Sequence, residues 1–120
     1  MNKKTLVLGA SDNPSRYSFL AINKLRLHNH DVVAIGRSKT KVADVEVETD
    51  KKDFDNIDTV TLYLSPAHQK EYYDYILSLK PKRIIFNPGA ENDELYELAK
   101  SKGIAVEEAC TLVMLSTGQY

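Results

Sequence analysis

Short apolar runs alternate with amphipathic stretches along the chain, and this alternation predicts its secondary structure. The runs are rich in Val, Ile and Leu and predict strands over residues 5–8, 31–36, 59–64, 83–86 and 104–107. Apolar residues are nearly continuous within them, which is typical of parallel strands that are buried on both faces. Between the runs, apolar residues recur at intervals of three and four and predict helices over residues 15–28, 65–80, 92–102 and 110–115.

The stretch between the second and third predicted strands is less regular. Val42, Val45 and Val47 alternate with charged residues and predict a short irregular strand, and residues 50–56 are polar and predict a turn or a short helix. Strands that alternate with helices pair in parallel through right-handed crossovers. We therefore expect one α/β domain over residues 1–120, a doubly wound parallel sheet of the Rossmann type. It would have about five core strands in the order 3-2-1-4-5, with helices on both faces.

Composition and charge narrow the function classes. The chain has 120 residues and a net charge of −1, which gives no electrostatic basis for binding nucleic acid. No apolar run reaches the roughly 18 residues that span a bilayer, and the first run is too short for a signal peptide. The single cysteine, Cys110, excludes an internal disulfide and a zinc site built from cysteines. We expect a cytoplasmic protein without a membrane partner.

The turn after the first strand is the first candidate for ligand chemistry. Gly9 permits a sharp turn, Asn13 or Ser15 is suited to cap the following helix, and a proline at position 14 needs no N–H group at a helix start. Free N–H groups at a helix N-terminus attract phosphate. The dinucleotide motif G-x-G-x-x-G requires three glycines, however, and only Gly9 is present here. The pattern therefore fits a nucleotide-binding turn or a plain strand-to-helix turn.

The end of the second strand discriminates among nucleotides. NAD-binding proteins place an acidic residue there, on the ribose. In this chain Arg37 and Lys39 occupy the corresponding turn, and cations suit the phosphorylated ribose of NADP or coenzyme A. The alternative is a solvated basic turn. We identify no nucleophile–base pair at the carboxyl ends of the strands, and we expect the one histidine near that edge, His68, to face solvent.

Several motifs are spread over nearly the whole chain: Gly9-Ala10-Ser11, Pro14, Arg16-Tyr17-Ser18, Thr61-Leu62-Tyr63, Phe86-Asn87-Pro88-Gly89-Ala90-Glu91-Asn92 and Ala109-Cys110-Thr111-Leu112-Val113-Met114-Leu115. The Asn-Pro-Gly-Ala turn and the Arg-Tyr-Ser helix start are the most specific of them. Together they resemble the small stand-alone CoA-binding proteins, a family similar to the N-terminal domain of the succinyl-CoA synthetase alpha subunit. One departure concerns the ribose end, because the family usually has Asn-Pro after the second strand where this chain has Gly36-Arg37-Ser38.

The resemblance implies a Rossmann-type domain that binds the adenosine diphosphate part of coenzyme A. It places the phosphates over the turn after the first strand and near the helix start, which assigns to the ligand Gly9, Ala10, Ser11, Pro14, Arg16, Tyr17 and Ser18. It also implies that Ser65 and Pro66 line the adenine or pantetheine side. The turn Asn87-Pro88-Gly89-Ala90 would form the exit.

The resemblance carries over no reaction, because the phosphohistidine of the synthetase lies in a second domain and its nucleotide-grasping part in another subunit. We therefore expect non-catalytic binding of coenzyme A or an acyl-CoA. Two alternatives stay open: a small NAD(P)-binding oxidoreductase or regulator, and a Rossmann-like interaction domain without a cofactor. The apolar segment 112–115 would favour a homodimer if the last helix exposes it. If that helix packs on the first helix instead, the segment completes the core.

Overall fold

The computed structural model describes residues 2–120. In this part of the chain, strands alternate with helices except between the first and second helices, where four strands follow one another, and a short 3₁₀ turn over Lys70–Tyr72 joins the second helix to the third. The strands are β1 (Thr5–Ala10), β2 (Val32–Gly36), β3 (Thr40–Val42), β4 (Val45–Glu48), β5 (Thr59–Leu62), β6 (Arg83–Phe86) and β7 (Ala105–Glu108). The helices are α1 (Tyr17–Leu27), α2 (Pro66–Gln69), α3 (Tyr73–Ser78), α4 (Asp93–Ser101) and α5 (Thr111–Ser116).

The strands form one sheet in the order β3-β4-β2-β1-β5-β6-β7. Neighbouring strands run parallel, apart from β3 and β4, which form an antiparallel hairpin. β1 lies in the middle, where Val7 pairs with Ala34 of β2 on one side and with Thr61 of β5 on the other. The predicted α/β class, a doubly wound parallel sheet of the Rossmann type, is confirmed.

The order predicted for the five core strands, 3-2-1-4-5, is wrong for the third predicted strand, residues 59–64. That strand, β5, lies beside β1 rather than beside β2. The place beside β2 is taken by β4, which pairs in parallel with it through Ala34 and Val47. Val42, Val45 and Val47 bury their side chains, and Ala43 turns the chain between them with a φ of 55°. The segment predicted as one irregular strand is therefore a hairpin that extends the sheet.

Helices cover both faces of the sheet, as predicted. Successive residues of a strand point to opposite faces. Leu6 and Leu8 accordingly belong to the core that includes Leu95 of α4, whereas Val7 belongs to the core that includes Ile22 of α1 and Met114 of α5. Each face of the sheet thus has its own apolar core, and the carboxyl ends of the parallel strands project between the two helical layers.

The stretch predicted as one helix over residues 65–80 is broken in the structure. α2 ends at Gln69, the 3₁₀ turn follows, and α3 begins at Tyr73. Gln69 is fully buried and donates hydrogen bonds to the main-chain carbonyls of Leu64 and Ala90. The break therefore directly follows a polar side chain that is anchored outside its own helix. Apolar periodicity alone does not reveal such an anchor.

The last helix, α5, packs against α1. It buries Met114 and Leu115, while Val113 stays 58% exposed. The apolar segment 112–115 thus completes the core for the most part, which is the second of the two expected outcomes. None of the helices within residues 2–120 combines the length and the hydrophobicity that a membrane span requires.

Candidate functional site

A cavity of about 680 Å³ opens at the carboxyl ends of the parallel strands. This is the edge at which open α/β sheets bind ligands, and the volume is typical of a small-molecule site. The loops after β1 and β2 form one side of the cavity, which we call the first wall (the lining residues within 9–18 and 35–40). The loops after β5 and β6 form the opposite side, the second wall (the lining residues within 63–72 and 88–90).

Two glycines of the first wall lie where β1 is so close to its neighbouring strands that a side chain would not fit. A Cβ atom on Gly9 would lie 2.9 Å from the carbonyl carbon of Tyr63, and the φ of Gly9 is 95°. A Cβ atom on Gly36 would overlap the carbonyl oxygen of Ala10. The sharp turn predicted at Gly9 is wrong in its place, because β1 continues to Ala10 and Gly9 lies at an irregularity in the register of β1 with β2. The close approach at Gly36 was missed, although a glycine that ends an apolar run was a signal for it.

Short polar side chains hold the turn between β1 and α1. Asn13 accepts through Oδ1 from the Ser15 N–H at 3.0 Å and from the Ser15 hydroxyl at 2.8 Å, and the Asn13 N–H donates to Ser11 Oγ at 3.1 Å. The predicted helix cap is therefore wrong, because Asn13 and Ser15 bond within the turn and Arg16 is the residue at the cap position. No side-chain cap bond forms there within residues 2–120, and the first turn of α1 holds no acidic residue. The N-terminal end of α1 keeps its partial positive charge.

Two of the predicted cations line the cavity and a third does not. Arg16, at the start of α1, and Arg37, after β2, both face it. Lys39 lies against Glu48 instead, with 3.3 Å between its Nζ and the carboxylate, and Lys52 lies 3.4 Å from the same oxygen. The bond with Lys39 is the main reason why the pKa of Glu48 is lowered. Arg37 is therefore the cation that the β2 end presents to the cavity.

At the second wall, Ser65 and Pro66 begin α2, as predicted. The serine hydroxyl does not cap the helix. It pairs with Nδ1 of His68 at 3.1 Å, and both Ser65 and His68 line the cavity while Pro66 does not. His68 is exposed, as expected, but it also belongs to the edge of the site.

Asn87 lies beneath the second wall and is only 2% exposed. Its Nδ2 donates to Thr61 Oγ1 at 2.6 Å and to the Leu62 carbonyl at 3.0 Å, and its Oδ1 accepts from the Thr111 N–H at 2.9 Å. The amide thus fastens the end of β6 to β5 and to the start of α5. The structure gives Asn87 a place under the exit turn instead of the cavity-facing place that the resemblance implied.

The cavity brings together most of the residues that were predicted to bind a ligand: Gly9, Ala10, Ser11, Arg16, Tyr17, Ser18, Arg37, Ser65, Pro88, Gly89 and Ala90. The other predicted residues do not line it: Pro14, Lys39, Pro66 and Asn87. Direct contact of the lining residues with a ligand stays a prediction.

Sequence reasoning missed several lining residues. Asp12 faces the cavity and accepts a hydrogen bond from the Thr40 hydroxyl at 2.9 Å, which ties the β1 turn to β3. Glu71 and Tyr72 line the second wall, and both lie in the 3₁₀ turn at which the predicted helix is broken. Tyr63 lies just past the end of β5, with a buried hydroxyl that has no hydrogen-bond partner among the described residues, and burial raises its pKa. In the sequence it belonged to the motif Thr61-Leu62-Tyr63, to which the resemblance assigned no ligand contact.

The chain matches the model of a protein family described as CoA binding domain, over residues 3–116. A solved protein described only as uncharacterized is 47% identical, with a TM-score of 0.97 over 100% of this chain and 99% of that chain. A hypothetical protein from Pyrococcus horikoshii OT3 is 23% identical, with a TM-score of 0.87 over 97% of this chain and 83% of that one. The protein cell-free ID.343 from Thermus thermophilus is 21% identical, with a TM-score of 0.86 over 99% and 91%. No curated protein matches the chain.

The two more distant structures share the fold, and the family match adds the ligand class. The matched residues include the β1 turn, the start of α1, the Asn-Pro-Gly-Ala turn and α5, which are the segments that carried the resemblance. The resemblance to the small CoA-binding proteins is therefore confirmed. The chain belongs to the CoA binding domain family.

Proposed function

We propose that the protein binds coenzyme A or an acyl-CoA without catalysing a reaction on it, through the adenosine diphosphate part of the ligand. Membership in the CoA binding domain family supports this ligand class. The observation that carries the mode of binding is the cavity in which the β1 turn, Arg16 and Arg37 meet. All three are suited to phosphate, and all three belong to the first wall.

The diphosphate is assigned to the turn of Gly9, Ala10 and Ser11. Because Gly9 has no side chain, a ligand approaches the main chain closely there. The N-terminal end of α1 adds a partial positive charge that no side-chain cap offsets within residues 2–120. Arg16 lies at that same end, and its guanidinium group is suited to charge-assisted hydrogen bonds with phosphate oxygens. The first wall therefore supplies both dipolar and full positive charge to the diphosphate.

The ribose phosphate is assigned to Arg37. Lys39 is paired with Glu48, so Arg37 makes the direct contact and Lys39 contributes charge from a distance. We expect dephospho-CoA, which lacks this phosphate, to bind at least about tenfold more weakly than coenzyme A in calorimetry. In Arg37→Ala the difference between the two ligands should shrink. Equal affinities in the unsubstituted protein would leave Arg37 as part of a solvated basic turn.

The contacts around Ser65 support binding without catalysis. Its hydroxyl meets Nδ1 of His68 within one helical turn. Among residues 2–120, no carboxylate forms a hydrogen bond with the other ring nitrogen of His68. Activation of a serine nucleophile requires a base that is itself held by a third group. Acetyl-CoA incubated with the protein should therefore be recovered intact, and steady release of free thiol would refute this part of the proposal.

A parallel titration with CoA, acetyl-CoA, NAD and NADP tests the ligand class. A ligand that binds only the folded state raises its melting temperature, so thermal shift and calorimetry should agree. We expect stabilisation by CoA and acetyl-CoA, and little or none by NAD. Stabilisation by NAD or NADP alone would favour the oxidoreductase alternative. No binding by any of the four would favour an interaction domain without a cofactor.

Self-association stays a prediction. Although α5 covers most of its apolar segment, Tyr17, Leu20 and Val113 remain exposed on the α1 and α5 side of the molecule. A homodimer would cover these side chains. Light scattering at high protein concentration distinguishes the two states: a dimer mass supports the homodimer, and a monomer mass refutes it.

A further inference from the structure

Gln69 is a fully buried polar side chain directly behind the second wall. Its Nε2 donates to the carbonyl oxygen of Leu64 at 2.8 Å and to that of Ala90 at 2.7 Å, and its Oε1 accepts from Nδ2 of Asn92 at 2.9 Å. Both amide hydrogens and the amide oxygen are thus engaged. Buried polar groups that are fully paired fix local geometry, because breaking one bond leaves its partner unsatisfied.

The two carbonyls that Gln69 holds belong to different loops of the second wall. Leu64 follows β5 and Ala90 belongs to the turn after β6, and both line the cavity. The ladder between β5 and β6 ends at the pair Leu62 and Phe86. Beyond that pair the loops are joined through the Gln69 side chain. Its length therefore sets the distance between them.

Asn92 connects this arrangement to the helices of that face. Its Oδ1 caps α4 by accepting from the N–H groups of Glu94 at 3.1 Å and Leu95 at 3.3 Å. Its Nδ2 donates to Gln69 and also to the Tyr73 hydroxyl at 2.8 Å. The second wall is therefore fixed to α3 and α4 by hydrogen bonds within the protein itself.

The second wall also differs from the first in charge. Both cavity-lining arginines, Arg16 and Arg37, lie on the first wall, where they outnumber its one carboxylate, Asp12. The second wall contributes Leu64, Tyr72 and the 88–90 turn, and its one carboxylate, Glu71, disfavours phosphate there. Among the described residues no lysine or arginine lines it. Such a surface suits a neutral, amide-bearing chain.

We propose that Gln69 is a positioning residue of the ligand site, which presets the second wall for the uncharged pantetheine arm of a CoA ligand. This inference rests on the proposed function. By holding the Leu64 and Ala90 loops at a fixed separation, Gln69 lowers the ordering cost that binding the arm would otherwise incur. The adenosine part of the ligand, on the first wall, does not depend on it.

The test compares two ligands in the full chain. Adenosine 3′,5′-bisphosphate carries the phosphorylated ribose and a 5′-phosphate but has no pantetheine arm. Gln69→Met keeps the length of the side chain and removes its hydrogen bonds. In calorimetry we expect Gln69→Met to lower the affinity for CoA roughly tenfold and to change the affinity for the bisphosphate less than about twofold. Equal losses for the two ligands, or no loss for either, would overturn the proposal.

Thr5→Val is the matched control, because Thr5 is buried at the opposite edge of the sheet and loses a contact with the Tyr120 hydroxyl. It should lower stability and leave the ratio of the two affinities unchanged. If Gln69→Met does not fold, Asn92→Ser keeps a capping oxygen and removes the bond to Gln69. A smaller loss for CoA alone is then expected, and an unchanged ratio would overturn the proposal. If the unsubstituted protein binds neither ligand, the proposed function itself fails.

Discussion

At the amino end of the sheet, Lys3, His30 and Arg83 surround a tyrosine of the chain itself, whereas at the carboxyl end Arg16 and Arg37 line an open cavity. Both edges gather cations and aromatic rings. At one edge the cations contact a residue of the chain itself, and at the other the arginines face an open cavity.

The tyrosine at the amino end is Tyr120, which is 9% exposed. Its hydroxyl lies 2.5 Å from Thr5 Oγ1, and its ring centroid lies 4.4 Å from the guanidinium carbon of Arg83 and 5.0 Å from the centroid of the His30 ring. Lys3 Nζ and Arg83 Nη1 donate to its main-chain oxygen at 2.5 Å and 3.0 Å. Stacking and hydrogen bonds to one residue thus account for the basic cluster at this edge.

The comparison shows that a basic cluster at the end of a sheet does not by itself indicate a ligand site. The carboxyl edge differs in its backbone, because Gly9 and Gly36 let β1 approach its neighbours without side chains between them. It also differs in the helix that follows, since the N-terminal end of α1 is open there. These main-chain features, together with the cavity, distinguish the candidate site from the structural cluster.

Removal of Tyr120 should have the largest effect. Truncation of a large buried aromatic side chain costs about 3–5 kcal/mol, so we expect Tyr120→Ala to lose about that much stability in urea unfolding. Its affinity for CoA, measured where the protein is folded, should be unchanged. Tyr17→Ala is the control at the other edge, because Tyr17 is 69% exposed and its removal should change stability by less than about 0.5 kcal/mol. Similar losses in the two variants would contradict the distinction between a filled and an open edge.

Substitution of Arg16 should act on binding instead of stability. Arg16 is exposed at the cavity, and a charge-assisted hydrogen bond to phosphate contributes roughly 1.5–3 kcal/mol. We expect Arg16→Ala to lose that much binding free energy for CoA in calorimetry while unfolding as the unsubstituted protein does. Lys100→Ala removes the same charge from an exposed position on α4 and should leave the affinity for CoA unchanged. An unchanged affinity in Arg16→Ala would reject the phosphate contact.

A methyl group at Gly36 should affect both stability and binding. The Cβ of Gly36→Ala would overlap the carbonyl oxygen of Ala10. Because that oxygen belongs to the backbone, the overlap is relieved only if β1 and β2 move apart. We expect a loss of about 1–3 kcal/mol in urea unfolding, as for other overpacked sites, and weaker CoA binding because Ala10 belongs to the first wall.

Gly103 is the matched position at the amino edge. Its φ is 79° and a Cβ there would meet no atom within 4 Å, so Gly103→Ala should lose about 1 kcal/mol through backbone strain alone. Its CoA affinity should not change. If Gly36→Ala keeps full affinity, the close approach of β1 and β2 is a packing feature without a role in the site.

Hydrophobic periodicity was sufficient for the element types and the fold class, because burial on both faces of a parallel sheet leaves a strong pattern in the sequence. It was insufficient where contacts between segments distant in the sequence decide the path of the chain. The break after Gln69 depends on carbonyls at positions 64 and 90, and the hairpin at β3 and β4 depends on valines that fit beside β2. Both are tertiary contacts between segments whose proximity the pattern does not encode.

The candidate site shows the same division. A glycine after a strand and the two arginines beside it could be assigned from the sequence, because their residue types match phosphate chemistry. The direction of a side chain could not be predicted in the same way. Lys39 forms an ion pair with Glu48, and Asn87 points into the protein, where it forms hydrogen bonds with Thr61 and Thr111. Orientation follows from partners that become neighbours only in the folded chain.

The smallest expected effect is a pH dependence of stability at the filled edge. Burial, together with nearby positive charges such as Lys3 and Arg83, lowers the pKa of His30 below its usual value of 6.5. Its Nδ1 accepts a hydrogen bond from the Lys3 N–H at 2.9 Å, which requires that nitrogen to be unprotonated. Below about pH 6.5 the unfolded chain binds a proton that the folded protein resists. Stability should therefore decrease as the pH falls from 6.5 toward the lowered pKa, and the decrease should be smaller in His30→Asn, which keeps an acceptor but does not titrate. His68→Asn removes an exposed imidazole at the opposite end of the sheet and serves as the control in urea unfolding at pH 8 and pH 5.5. The same decrease in His30→Asn as in the unsubstituted protein would show that this edge is not the source of the pH dependence.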